Sequence, residues 1–103
     1  MRSESGNRRY RMMRVRKGEY ILPANDGVTL WRISAYTEDG SASYDDGMVI
    51  RGRFWRAQKW LGTKPSPPQL AEALEASDYW RYWSDEREMF RSREEAIQFA
   101  LEH

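Results

Sequence analysis

Over roughly the first 60 positions the chain alternates polar and apolar residues. Over the last 40 its apolar residues recur every three or four positions. The first pattern is that of half-buried strands and the second that of amphipathic helices. Arg9-Tyr10-Arg11-Met12 alternates, and Met13-Arg14-Val15-Arg16 alternates again with the phase slipped by one. The slip reads as a bulge, or as a strand that begins only at Met13. Tyr20-Ile21-Leu22 is a strand stopped by Pro23 and joined to its predecessor by a tight turn at Lys17-Gly18. Asn25-Asp26-Gly27 turns the chain into its clearest strand, Val28 to Thr37. There Trp31, Ile33 and Ala35 share one face, and Leu30, Arg32, Ser34 and Tyr36 the other. Glu38-Asp39-Gly40 reads as the turn that ends this strand, and Asp45-Asp46-Gly47 as a second turn. Met48 to Phe54 is the next strand, with Met48, Ile50 and Phe54 on one face. Phe54, Ala57, Gln58 and Leu61 have helical spacing and predict a short helix from Phe54 to Gly62.

Two helices announce themselves by their starts. Ser66-Pro67-Pro68-Gln69 is a capping box with proline at the first helical position, followed by the stripe Leu70, Ala73, Leu74 to about Ala76. Ser92-Arg93-Glu94-Glu95 is a second box, followed by Ala96, Ile97, Ala100 and Leu101. Residues 78–90 fit a helix or a strand equally well. Strands followed by helices give an α+β fold. It is expected to be an antiparallel sheet of three to four strands in the N-terminal 60 residues, packed by two or three C-terminal helices. The expected core is Leu22, Leu30, Trp31, Ile33, Ile50, Phe54, Leu61, Leu70, Leu74, Phe90, Ile97 and Leu101. Residues 1–8 are expected to be a flexible basic leader and 9–103 a single domain.

Composition narrows the function more than the fold. There is no cysteine among the 103 residues, which excludes disulfides and cysteine-based zinc sites and fits a reducing, cytoplasmic setting. No apolar run approaches the length that spans a bilayer, so no membrane role is expected. The near-balance of 17 cations and 16 acids hides an asymmetry. Residues 1–17 hold six arginines and a lysine against Glu4 alone, whereas residues 70–103 hold nine acids against four arginines. The two ends either pair with each other or reach for partners of opposite charge.

Catalysis is the easiest class to set aside. The sole histidine is the terminal residue, in an ending (Leu101-Glu102-His103) that matches the start of a common vector-encoded polyhistidine tag. Without a thiol, an internal histidine or a phosphate-cradling loop, no catalytic residue, metal site or cofactor is assigned. Asp45-Asp46 and Asp85-Glu86, with Glu88 nearby, are half a metal or acid–base site each, and read more simply as a loop turn and a solvated face.

Binding chemistry is better represented. Tyr79, Trp80, Tyr82 and Trp83 place four aromatics in five residues. Neither helix nor strand geometry turns them all inward, and Trp and Tyr dominate protein-binding hot spots. The leading expectation is a non-enzymatic binding module that uses these four residues against a protein partner or a second copy of itself. The alternative is nucleic acid, held by Arg9, Arg11, Arg14 and Arg16 on the first strands and by Arg51, Arg53 and Arg56 among Phe54, Trp55 and Trp60. The plainer reading of that stretch puts the rings in the core with arginines stacked at the rim.

Two likenesses bear on these expectations. Trp31 to Gly40, together with Phe90-Arg91-Ser92-Arg93-Glu94-Glu95-Ala96, resembles the arm-site DNA-binding domains of tyrosine recombinases. That resemblance implies a three-stranded sheet that reads DNA, followed by a helix. It covers about 17 residues in two pieces, and Gly52 to Glu88 departs from it. By composition the chain is similar to small accessory proteins of phages with G+C-rich hosts, which are short, rich in arginine and tryptophan and cysteine-free. That similarity implies a host protein as partner.

Overall fold

The computed structural model of the chain describes residues 12–103. Five strands form one antiparallel sheet in the order of the chain: β1 (Met13–Arg16), β2 (Glu19–Pro23), β3 (Leu30–Ser43), β4 (Val49–Trp60) and β5 (Trp83–Phe90). Helix α1 (Pro67–Glu75) and a 3-10 turn (Tyr79–Arg81) lie between β4 and β5, and α2 (Arg93–Glu102) follows β5. The class is therefore α+β.

Strand pairing carries the alternation of β3 across the whole sheet. Trp31, Ile33 and Ala35 stand opposite Lys59, Ala57 and Trp55. With Leu22 and Phe90, Trp31, Ile33 and Ala57 make the face on which α2 lays Ala96, Ile97 and Ala100. Ala57, Ala96 and Ala100 are all buried, and their small side chains let the helix lie close on β4. The opposite face carries Ile21, Leu30 and Trp83, packed by Ala73, Leu70 and Leu74 of α1. The sheet is thus layered between two helices, which differs from helices on one side only. Both helices start at the capping boxes read from the sequence. The Ser66 Oγ accepts from the Gln69 N–H at 3.4 Å and the Ser92 Oγ from the Glu95 N–H at 3.2 Å.

Four sequence expectations need correction. The region 54–62 is not helical, because β4 runs unbroken to Trp60. Residues on both sides of this strand are buried (Phe54 and Gln58 on one, Ala57 on the other), so the two-residue period is erased and three-to-four spacing imitates a helix. The turn expected at Glu38-Asp39-Gly40 is instead a bulge within β3, which continues to Ser43. The register slips between Asp39 and Ala42, and the Asp39 carboxylate accepts from the Ser41 N–H at 3.0 Å. The sheet has one more strand than expected, and β5 comes from the segment that fitted helix and strand alike. Leu61 lies outside the core, 46% exposed just past the end of β4. The leader expected over residues 1–8 lies outside the described residues.

Candidate binding surfaces

The aromatic segment is built by the 3-10 turn. The Arg81 N–H donates to the Asp78 carbonyl at 3.1 Å and the Tyr82 N–H to the Tyr79 carbonyl at 2.9 Å. Three residues per turn then fan the side chains in different directions. Trp83, the first residue of β5, points into the core and is 1% exposed. Tyr79 and Tyr82 are half-buried, and Trp80 stands 64% exposed. The rings brace one another. Tyr82 stacks on Trp60 with centroids 5.9 Å apart, Trp60 meets Trp83 edge-on at 5.2 Å, and Tyr79 meets Trp80 edge-on at 5.7 Å. The Trp60 Nε1 donates to the Thr63 carbonyl at 2.6 Å, and the Leu61 N–H donates to the Tyr82 carbonyl at 2.8 Å. Of the four residues expected to bind protein, Trp80 is on the surface, Tyr79 supports it, Tyr82 is half-buried against Trp60, and Trp83 belongs to the core. Trp60 and Leu61 lie beside Tyr82. Sequence reasoning missed them because only the pairing of Trp60 with Trp83 brings the end of β4 there. The neighbouring charges, Arg81 and Asp78, neutralise each other at 3.1 Å.

The sheet divides the arginines between its faces. Arg9 and Arg11 lie outside the described residues. Arg14 pairs with Tyr20 across β1 and β2, and Arg51 and Arg53 share the side of β4 that carries Trp55, so these three fall on the α2 face. There Tyr20 and Trp55 are ring neighbours at 6.2 Å, with the Arg53 guanidinium 5.6 Å from Trp55 and that of Arg93, from α2, 5.0 Å from Tyr20. Among the described residues Arg14, Arg51 and Arg53 have no carboxylate within 4.0 Å. Arg93, which the sequence did not single out and which is 3.4 Å from the Glu94 carboxylate, joins this face because the Ser92 cap starts α2 beside the ring pair. Arg16 and Arg56 occupy the opposite face. Arg16 bridges the buried Glu19 at 2.8 Å and Glu75 of α1, and Arg56 lies 4.2 Å over the Tyr36 ring.

The carboxylate pairs are used locally. The Asp46 carboxylate accepts from the Met48 N–H at 3.0 Å and closes the β3–β4 hairpin, while that of Asp85 accepts from the Gln58 amide at 2.6 Å. Among the described residues no three carboxylates or histidines gather as metal ligands do, and no helix is long and apolar enough to cross a membrane. An apolar hollow of about 510 Å³ opens beside the β1 edge, lined by Met13, Ile21, Leu30, Pro65 and Leu70 among others. No family model, no curated protein and no solved structure matches this chain.

Proposed function

We propose that the protein is a non-enzymatic binding module that docks a protein partner, or a second copy of itself, through the aromatic corner centred on Trp80. The observation that carries this reading is the 64% exposure of Trp80, held edge-on against the half-buried ring of Tyr79. A Trp buries roughly 150–250 Å² when covered, and a ring already held by its neighbours loses little freedom on binding. Trp and Tyr are also the side chains on which binding energy concentrates. The test is paired affinity capture from nuclease-treated lysate of the source organism, with the wild type and Trp80→Ala as baits of equal thermal stability. A protein retained by the wild type and lost with Trp80→Ala supports the reading. Equal retention by both baits overturns it.

A second reading, nucleic-acid binding, is favoured by one observation: Arg14, Arg53 and Arg93 surround Tyr20 and Trp55 on one sheet face. It is weakened by the assignment of Arg16 and Arg56 to the other face. On this reading, binding to duplex DNA falls steeply with salt, and Arg51→Gln with Arg53→Gln lowers the log–log slope by about 2. No binding at about 50 mM salt, where the electrostatic contribution is strong, removes it.

A further inference from the structure

The α1-facing side of the sheet is only half roofed. Beyond Ala76 and Tyr79 it opens into a polar cleft of about 320 Å³. Its floor is laid by alternate residues of two paired strands, with Arg32 opposite Gln58 and Ser34 opposite Arg56, and with Tyr36 next along β3. Several of these groups are already satisfied. Arg32 gives Nε and Nη2 to Glu19 at 2.5 Å, Gln58 gives its amide to Asp85, and the Tyr36 hydroxyl accepts the Met89 N–H at 3.0 Å. The Ser34 hydroxyl and the Arg56 guanidinium are not. Among the described residues neither has a hydrogen-bond partner, and the carboxylate nearest to Arg56, that of Glu88, is 4.0 Å away. The Arg56 guanidinium carbon lies 4.2 Å over the Tyr36 ring, which holds the charge at the cleft, with Nη1 4.0 Å from Glu88. Four cations line the cleft, Arg16, Lys17, Arg32 and Arg56, against the carboxylate of Glu19 within it and those of Glu75 and Glu88, which reach Arg16 and Arg56 from its margin.

We infer that this cleft binds a compact oxyanion, the phosphate or carboxylate group of a small molecule, through Arg56 and Ser34 with added charge from Arg32. A planar guanidinium fork matches both groups, and a free serine hydroxyl beside a guanidinium whose one ion pair is as long as 4.0 Å favours an anion over any neutral or cationic ligand. The volume sits at the low end of the roughly 300–1,000 Å³ typical of ligand pockets, which selects a small ligand. Tyr79 borders both this cleft and Trp80, but the anion site does not rest on the protein-binding reading.

The test is an NMR titration of ¹⁵N-labelled protein at constant ionic strength, with inorganic phosphate in one arm and succinate in the other. The expected result is saturable shifts at the Ser34 amide and the Arg56 Nε–H. Binding should weaken at least tenfold in Arg56→Gln and several-fold in Ser34→Ala, and stay unchanged in Met48→Ala, at an exposed residue outside the cleft lining. The arm that saturates at lower concentration identifies the group as phosphate or carboxylate. Shifts that never saturate in either arm, or an affinity in Arg56→Gln equal to that of the wild type, overturn the inference. Should Arg56→Gln not fold, wild-type affinity in Ser34→Ala overturns it equally.

Discussion

Replacing Glu19 by Gln keeps its shape and removes its charge. The residue is only 6% exposed and holds two guanidiniums, that of Arg16 on one oxygen and that of Arg32 on the other. Removing one partner of a fully buried ion pair costs about 3–5 kcal/mol, because the remaining charge stays desolvated without compensation. Here Arg32 is 17% exposed and its guanidinium also rests 5.7 Å from the Trp83 ring, so water and the ring offset part of that loss. The expected cost is about 2–3 kcal/mol, which lowers Tm by roughly 10–20 °C in a domain of this size. Arg16→Gln is the contrast. Arg16 is 49% exposed and its second partner, Glu75, is 71% exposed, so its loss is worth at most about 1 kcal/mol. Urea unfolding of the two single mutants, of Arg32→Gln and of the Glu19→Gln/Arg32→Gln double mutant measures the coupling directly. The double mutant is expected to be less destabilised than the sum of the single mutants by 0.5–3 kcal/mol or so. A Glu19→Gln cost equal to that of Arg16→Gln, or strict additivity in the double mutant, refutes the reasoning.

Ser66→Ala and Ser92→Ala should each destabilise by about 0.5–2 kcal/mol in urea unfolding, since each hydroxyl satisfies a helix N–H that has no partner within the helix. Gly40→Ala should cost about 1–3 kcal/mol, because the glycine has φ +96° and a methyl group there would lie 2.6 Å from the Arg51 guanidinium. Adding Arg51→Ala relieves the contact but not the backbone, so unfolding of the double mutant should recover only part of the loss. The Asp26 carboxylate accepts from the Thr29 and Val28 N–H groups and the Thr29 hydroxyl, and these bonds, that of the Thr29 N–H foremost, hold its pKa down to about 2. Its folded pKa lies below the unfolded one, so the stability it contributes is complete above the ordinary carboxylate range and is lost as pH falls toward 2. A carboxyl-detected NMR titration should show that low midpoint, and Asp26→Asn should remove this part of the acid sensitivity.

The parts of this fold that were legible in the sequence are those where one local rule decides. Ser66 and Ser92 each carry a capping box, and both helices start there. Trp31, Ile33 and Ala35 alternate with Arg32, Ser34 and Tyr36, and β3 keeps that division of faces. The illegible parts are those where tertiary contacts override the pattern. Phe54, Ala57 and Gln58 of one strand are buried on opposite faces, which gives them a false helical period. Glu38-Asp39-Gly40 has turn composition, but the same residue types build a bulge when Arg51 pairs with Asp39 across the ladder. For the binding surfaces, composition singled out the aromatic segment but not the direction of each ring. That direction depends on a 3-10 turn which places Trp80 outward and Trp83 inward. The oxyanion cleft left no local mark, because Ser34 and Arg56, 22 residues apart in sequence, become neighbours only through the pairing of β3 with β4.

The central claim is that binding energy concentrates at Trp80. Its most direct test compares dissociation constants for the protein captured by the wild type, or for the homodimer if the partner is a second copy, across the wild type, Trp80→Ala and the Arg51→Gln/Arg53→Gln pair. Calorimetry serves for the first case and sedimentation equilibrium for the second. The account predicts that Trp80→Ala weakens binding by about 30-fold or more, the equivalent of about 2 kcal/mol, while unfolding stability changes by less than about 0.5 kcal/mol. The arginine pair should change affinity only a few-fold. A Trp80→Ala affinity within threefold or so of the wild type, or a larger loss from the arginine pair than from Trp80→Ala, contradicts it.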